Sequence, residues 1–210
     1  MEQVMRDPEY LEVDELDFRL GLTQLLTVNG RLDQETNRLI AEVITETKVR
    51  AMKEALSQYV GQGVHMTQSE LMAEEHKSER LGRFLETVQY VRPDSNFEAH
   101  AIVSGGHARA IAAREILAQY QLRIDDPTNG VWLPNFKKNL SGYPDFNYAH
   151  RPLHRKIYYL NITSCLEQAM SSAHARVILR RIAQGIIVGT FPIDRRLKRK
   201  EVMEVSNGAF

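Results

Sequence analysis

Cysteine and long apolar runs are the scarcest features of this 210-residue sequence. Cys165 is the single cysteine, so the chain forms no internal disulfide and has no pair of thiolates for a zinc knuckle. We expect it to be a buried helix residue. No apolar run approaches the roughly 20 residues of a membrane span, and the first residues are acidic where a signal peptide is basic and then apolar. We therefore expect no membrane contact and no classical export signal.

Net charge is also absent, because 27 basic residues balance 27 acidic ones. The balance conceals an asymmetry: residues 1–96 carry a net charge of −7, and residues 97–210 carry +7. Phosphate affinity comes largely from Lys and Arg, which displace counterions from nucleic acid. The charge division therefore favours a chain in which the C-terminal half alone meets phosphates, although a chance partition of charge explains it as well.

Hydrophobic periodicity predicts helices throughout the acidic half. One lies within residues 9–28, a second runs from Asp33 to the Gly61-Gln62-Gly63 stop, and a third runs from the capping-box sequence at Thr67 to Pro93. Residues 1–92 are therefore expected to form a helical module that serves as an adaptor, a linker or a cover for the basic half. His65 and His76 lie in this module and are expected to be surface histidines.

Residues 93–210 alternate between short strands and helices, which favours an α+β fold that is mostly helical overall. The last ten residues are expected to fray after the basic run at 195–200. The remaining predicted elements are a strand at 97–103, a helix at 107–122, a strand at 131–133, an irregular loop at 135–149, a helix that starts at Pro152 and passes Leu166, and a helix at 173–187.

Residues 98–154 hold four of the seven histidines and the single tryptophan. Each feature alone has an ordinary explanation: a strand histidine usually packs, Asn-Gly is a turn, and histidines four apart on a helix are common. Their order is more informative than any one of them. It reads Ala99-His100-Ala101-Ile102-Val103, then Gly105-Gly106, then Asn129-Gly130-Val131-Trp132-Leu133-Pro134, then His150-Arg151-Pro152-Leu153-His154.

This order resembles the HNH, or ββα-metal, nucleases, and in particular the branch named for an Ala-His-His motif that occurs in bacterial toxins. The likeness covers about residues 97–190. It implies a ββα-metal nuclease domain at 93–210, with His100 as the strand metal ligand and His150 and His154 as ligands at the helix entry. Asn129 then falls on the asparagine that braces the loop. Three imidazoles suit one divalent ion, and Zn²⁺, Ni²⁺, Mg²⁺ and Mn²⁺ all remain open.

The chain departs from the family at Ala101, where the resemblance implies a second histidine that acts as general base. Alanine performs no acid–base chemistry. Two explanations fit: a naturally inactive relative, or a deliberate His→Ala change that disarms a toxic nuclease. The intact remaining positions favour the second. His107 is a weaker substitute for the base, and it more plausibly opens the next helix near the phosphates.

Basic residues near the motif are candidates for phosphate contacts, with a solvated basic face as the alternative for each. We interpret Trp132 as a core residue, and stacking on a nucleic-acid base is the alternative. The phosphate-binding candidates are His107, Arg109, Arg114, Arg151, Arg155 and Lys156.

The resemblance implies a metal-dependent DNA endonuclease of low sequence specificity that acts as an interbacterial toxin. It further implies a cognate immunity protein and a secretion machinery as partners, with synthesis in the bacterial cytoplasm and action in the cytoplasm of a target cell. Two alternatives stay open. One is an RNase toxin, since the metal site would bind the phosphate, which DNA and RNA share, and not the sugar. The other is a catalytically dead, metal-stabilised module that binds nucleic acid.

Overall fold

The computed structural model describes residues 34–208 of the chain, with side chains from residue 37 onward. Within that range it is mostly helical with one small sheet, which confirms the α+β class. The helix predicted within residues 9–28 lies outside the described residues. The elements are α1 (Gln34–Gln62), α2 (Gln68–Ala73), α3 (Ser78–Thr87), β1 (Phe97–Ala101), α4 (Ile111–Gln119), β2 (Gly130–Pro134), α5 (Lys156–Leu166), α6 (Ser172–Ile187) and α7 (Arg199–Asn207).

The chain divides into two units, residues 1–59 and residues 60–210, of which the structure describes residues 34–59 and 60–208. In the first unit, the described part is residues 34–59 of α1, where most of the described side chains are exposed. Helices α2 and α3 lie in the second unit, whereas the charge division placed them with the N-terminal module. The division between residues 92 and 93 stays a prediction. No helix among residues 34–208 combines the length and apolar character needed to cross a bilayer.

The boundaries of α1 and α2 follow the sequence signals closely. Helix α1 ends at Gln62, inside the predicted Gly-Gln-Gly stop. Thr67 caps α2 with the predicted capping box: its hydroxyl accepts from the Glu70 backbone N–H at 3.3 Å, and the Glu70 carboxylate accepts from the Thr67 N–H at 2.7 Å. Local sequence signals, a Gly-Gln-Gly segment for α1 and a capping box for α2, therefore predicted these two boundaries.

The single helix expected from Thr67 to Pro93 is wrong, because the chain leaves helical geometry at Glu74–Lys77 and starts again as α3. The cause is the fully buried carboxylate of Asp125, which accepts from the Lys77 N–H at 3.0 Å and from Arg80 Nε at 2.7 Å. His76 Nδ1 contacts the same carboxylate. His76 is thus a half-buried hydrogen-bond partner of Asp125, and its assignment to the surface was wrong as well. His65 is exposed as expected.

Strands β1 and β2 pair antiparallel, with His100 opposite Val131 and Ala101 opposite Gly130. Alternate residues of a strand point to opposite sides, so the sheet has two distinct faces. On one face, Ala99 and Ala101 pack against Leu81 and Leu85 of α3 in a small apolar cluster that Trp132 borders. We call this side the α3 face. A Cβ at Gly130 would lie 2.7 Å from Leu81 Cδ1, so a larger residue there would force the Leu81 side chain to shift.

The opposite face, which carries Glu98 and His100, turns toward the main core, and we call it the histidine face. Its apolar members Val131 and Leu133 join that core, which is built mainly from α4, α5 and α6. The largest wholly buried side chains of this core are Tyr158, Tyr159, Ile102, Leu117, Leu133, Leu153, Ile162 and Leu166.

The C-terminal third differs from the expected pattern in two places. Helix α5 begins at Lys156 and not at Pro152, because Arg151–Leu153 forms a separate 3₁₀ turn and His154 leaves helical geometry at ψ 51°. Residues 199–207 form α7, so the expected fraying of the last ten residues is wrong over this part. Val202 and Ser206 of α7 are buried. Cys165 is buried in α5, as predicted.

Candidate metal centre

The structure brings His100, His150 and His154 together. One ligand nitrogen from each lies within 4.8 Å of the other two. His100 stands on β1, whereas His150 and His154 flank the 3₁₀ turn before α5. The His150 N–H donates to the Pro134 carbonyl at 2.8 Å, which fastens this turn to the end of β2. The sheet thereby brings side chains some 50 residues apart into one cluster.

His100 is wholly buried, and its tautomer follows from its neighbours. The Tyr158 hydroxyl has one proton and donates it to the Ile102 carbonyl at 3.1 Å. At the 2.8 Å contact between the hydroxyl and His100 Nε2, the imidazole must therefore be the donor. Nδ1 of the neutral ring then carries the lone pair, and it is buried with no hydrogen-bond partner among the described residues. An orphaned buried acceptor of this kind calls for a ligand.

In His150 and His154, as in His100, one ring nitrogen is hydrogen-bonded and the other, within residues 34–208, is not. Nδ1 of His150 lies 2.7 Å from a carboxylate oxygen of Glu98, and Nδ1 of His154 lies 2.7 Å from the Tyr159 hydroxyl. Neither Nε2 has a hydrogen-bond partner within the part of the chain that the structure describes. Metal-bound histidines characteristically hold their second ring nitrogen in this way, which fixes the ring and its tautomer.

Burial favours the neutral form of His100 and His154. It lowers the pKa of His100 well below its usual range, and the neighbouring histidines His150, His154 and His76 add to the effect. Burial likewise lowers the pKa of His154, with smaller contributions from His150 and His107. A neutral imidazole is the form that binds a metal ion. The cluster is thus an all-nitrogen donor set that fits a borderline divalent ion with coordination positions left open.

Asn129 is buried, and its amide is saturated by backbone groups. Its oxygen accepts from the Val103 N–H at 2.8 Å, and its nitrogen donates to the carbonyls of Val103 at 3.1 Å and Ile124 at 2.8 Å. These bonds hold the segment after β1 against the segment before β2. Asn129 therefore positions the strand that carries His100, and its side chain donates to and accepts from backbone groups, not the three histidines.

Ala101 lies on the α3 face, opposite His100. Its Cβ is buried in the cluster with Leu81 and Leu85, and its exposed fraction is 5%. A side chain at this position starts toward α3 and away from the three histidines. Its assignment to the position of the general base stays a prediction.

His107 and Arg114 shape the loop beside the cluster. The His107 ring stacks on Tyr159 at a centroid distance of 4.6 Å, and its Nδ1 accepts from the Arg109 N–H at 3.1 Å, so His107 opens the following helical turn as expected. Nδ1 is thus occupied by this hydrogen bond, and the role of His107 as a substitute base stays a prediction. Arg114 donates to the Gly105 carbonyl, which places it as a brace of the loop.

The other basic candidates are exposed side chains around the turn that holds the histidines, or at the start of α4. Phosphate binding by any of them stays a prediction. They are Arg109, Arg151, Arg155 and Lys156.

Sequence reasoning missed the partners of the histidines, which are Glu98, Tyr158 and Tyr159. A signal existed for Glu98, since a residue two positions from His100 on a strand shares its face. The two tyrosines carried no such signal, because consecutive residues of α5 reach different histidines only once the helix is docked.

A small antiparallel sheet beside three clustered histidines is an arrangement that suits a metal-dependent nuclease. Residues 81–186 match the AHH family, described as a nuclease family of the HNH/ENDO VII superfamily with conserved AHH. Because the match covers half of the chain, the protein belongs to this family. No curated protein and no solved structure matches the chain significantly. The placement of the Ala-His-His motif on Ala99-His100-Ala101, which lies inside the matched range, stays a prediction.

Proposed function

We propose that His100, His150 and His154 hold one divalent ion and that the site hydrolyses phosphodiester bonds in DNA. The observation that carries the proposal is the set of three imidazoles that each bring one nitrogen within 4.8 Å of the others, and that each hold one ring nitrogen in a hydrogen bond. A bound divalent ion would polarise the scissile phosphate and lower the pKa of a water molecule.

The chain's own residues would supply orientation and charge. Tyr158, Glu98 and Tyr159 fix the three rings, so little reorganisation accompanies ligand binding. The exposed cations Arg109 and Arg155 would hold the phosphate backbone, in keeping with the net charge of +7 over residues 97–210. DNA is the proposed substrate, and RNA is its control.

In the form described here, cleavage is proposed to be slow because Ala101 can accept no proton. General-base assistance contributes about a hundred- to ten-thousand-fold in rate. The burial of Ala101 against Leu81 and Leu85 specifically supports a second candidate, a metal-stabilised module that binds nucleic acid without cutting it. In that case the small residue serves packing with α3.

The proposed biological role is that of a secreted interbacterial toxin with a cognate immunity protein. This role rests on the likeness of the Ala-His-His motif region to toxin nucleases. It predicts that an active variant harms a bacterium when made in its cytoplasm.

The proposal is tested by cleavage of supercoiled plasmid with Ala101→His protein, with Mn²⁺, Mg²⁺ or Zn²⁺ added and an RNA substrate in parallel. We expect nicking that chelation abolishes and that a second change, His150→Ala, abolishes as well. Metal binding is measured separately by calorimetry on the unchanged chain, with His154→Ala as the comparison.

The possible results separate the candidates. Metal binding without cleavage by folded Ala101→His protein supports the binding module and contradicts the nuclease proposal for this chain. Cleavage of RNA alone moves the substrate to RNA. A chain that binds no divalent ion contradicts the metal centre itself.

A further inference from the structure

An aromatic ring and a guanidinium group are stacked beside the histidine cluster. Phe136 lies two residues beyond the end of β2, and Arg151 directly follows His150. The His150 N–H donates to the Pro134 carbonyl at 2.8 Å, so the two segments are fastened together at this point. The guanidinium carbon of Arg151 lies 4.5 Å from the centroid of the Phe136 ring.

This stack is open to solvent and cationic. Phe136 has an exposed fraction of 37%, and Arg151 is exposed too. Lys137 and Lys138 adjoin the ring, with Lys138 Nζ 5.6 Å from its centroid. Within residues 37–208, Arg151, Lys137 and Lys138 form no ion pair with a carboxylate. Three unneutralised cations around an exposed ring are poorly explained by packing alone.

Nucleic-acid bases that are free of a partner strand stack on such surfaces. Aromatic rings and arginine planes both offer a flat face to a base, while nearby lysines follow the phosphates. The bases of an intact duplex have both faces covered by their neighbours and must be taken out of the stack first. A surface of this kind therefore favours unpaired nucleotides over paired ones.

We propose that Phe136 and Arg151 form a stacking platform that holds an unpaired base of single-stranded DNA next to the histidine cluster. This proposal rests on the proposed function, in which the histidine cluster cleaves DNA, and adds a substrate preference to it. It assigns single-stranded or locally melted DNA as the preferred substrate, with the stacked base placed beside the phosphate that meets the histidines.

The test is binding by the full chain in the presence of a chelator, so that cleavage plays no part. Fluorescence anisotropy compares a labelled 20-nucleotide single strand with the matching duplex. We expect the unchanged chain to bind the single strand more tightly. Phe136→Ala should weaken single-strand binding about tenfold, the typical worth of one base stack, and change duplex binding by less than about threefold.

Two conservative variants separate stacking from charge. Phe136→Tyr keeps the ring and should bind like the unchanged chain. Arg151→Lys keeps the charge and loses the plane, so it should weaken single-strand binding while leaving the salt dependence of binding unaltered. Tyr90→Ala removes another exposed aromatic ring and is the matched control, with no change expected. Circular dichroism checks that each variant is folded.

Equal affinity of Phe136→Ala and unchanged chain for the single strand overturns the platform, as does an equal loss on both substrates or no DNA binding at all. Failure here is distinguishable from failure of the nuclease proposal. A chain whose Ala101→His variant never cuts, but whose Phe136→Ala variant loses single-strand binding selectively, retains the platform without the enzyme.

Discussion

The two faces of the small sheet present opposite chemistry from a single strand. The histidine face of β1 carries Glu98 and His100, which are held by polar partners and leave a lone pair unused. The α3 face carries Ala99 and Ala101, which are sealed under leucines. Residues 100 and 101 are neighbours in sequence and yet belong to different environments. Adjacency in a motif therefore says little about adjacency in a site.

The largest expected effect tests whether position 101 reaches the histidine face despite this separation. Ala101→His should raise plasmid cleavage about a hundred- to ten-thousand-fold if its imidazole acts as base. It should also lower the free energy of unfolding by about 1 to 3 kcal/mol, since the ring overpacks the interface with Leu81 and Leu85. Cleavage rate and urea denaturation measure the two effects.

Ala99→His is the matched control, because it places the same ring on the same face one strand period earlier. It should show the loss of stability without the gain in rate. A gain of similar size from both variants would mean that neither ring acts as a positioned base.

The second prediction concerns the packing of the α3 face. Leu81→Ala should lower the free energy of unfolding by about 2 to 5 kcal/mol, because Leu81 is wholly buried between helix and sheet. Metal affinity should stay within about threefold of the unchanged chain, since no histidine lies on that face. Ile111→Ala, at an exposed position of α4, is the comparison for an ordinary apolar truncation. A large drop in metal affinity would show that the two faces are coupled.

The third prediction concerns the hold on His150. Glu98→Gln should weaken Zn²⁺ binding about ten- to a hundredfold, since the carboxylate orients the ring and favours the tautomer with a free Nε2. Competition titration measures the affinity, and the absorption spectrum of bound Co²⁺ reports the geometry. Glu115→Gln makes the same change of charge at an exposed site of α4 and should have little effect. An equal loss of Zn²⁺ affinity in both variants would mean that Glu98 acts only through its charge and does not orient His150.

The smallest expected effect returns to the α3 face. Trp132 Nε1 donates to the Tyr90 carbonyl at 2.7 Å, a bond that Trp132→Phe removes while an aromatic ring remains. The free energy of unfolding should fall by about 0.5 to 1.5 kcal/mol, with metal binding unchanged. Chemical denaturation followed by circular dichroism measures it. A loss larger than that of Leu81→Ala would contradict the ranking of contacts on this face.

The sequence predicted the features that depend on neighbouring residues or on the resemblance to the nuclease family. The end of α1, the capping box at Thr67 and both strands follow from neighbouring residues. The convergence of the three histidines followed from the resemblance, since no periodicity relates residues 100 and 154. The break at Glu74–Lys77 was unpredictable because its cause, Asp125, lies about 50 residues downstream. Helix α7 was missed because its stability comes from docking, through the buried Val202 and Ser206.

The connection between β1 and β2 has a consequence for the order of folding. Ala101 and Gly130 pair across residues 102–129, so this hairpin closes over 28 residues that include all of α4. Compared with a four-residue hairpin loop, that closure costs about 2 kcal/mol more in chain entropy. The entropy cost of pairing the strands is therefore smaller once α4 has formed and shortened the distance between them. Kinetic φ-values should be high in α4 and low in the sheet, which makes the metal centre one of the last parts of the protein to assemble.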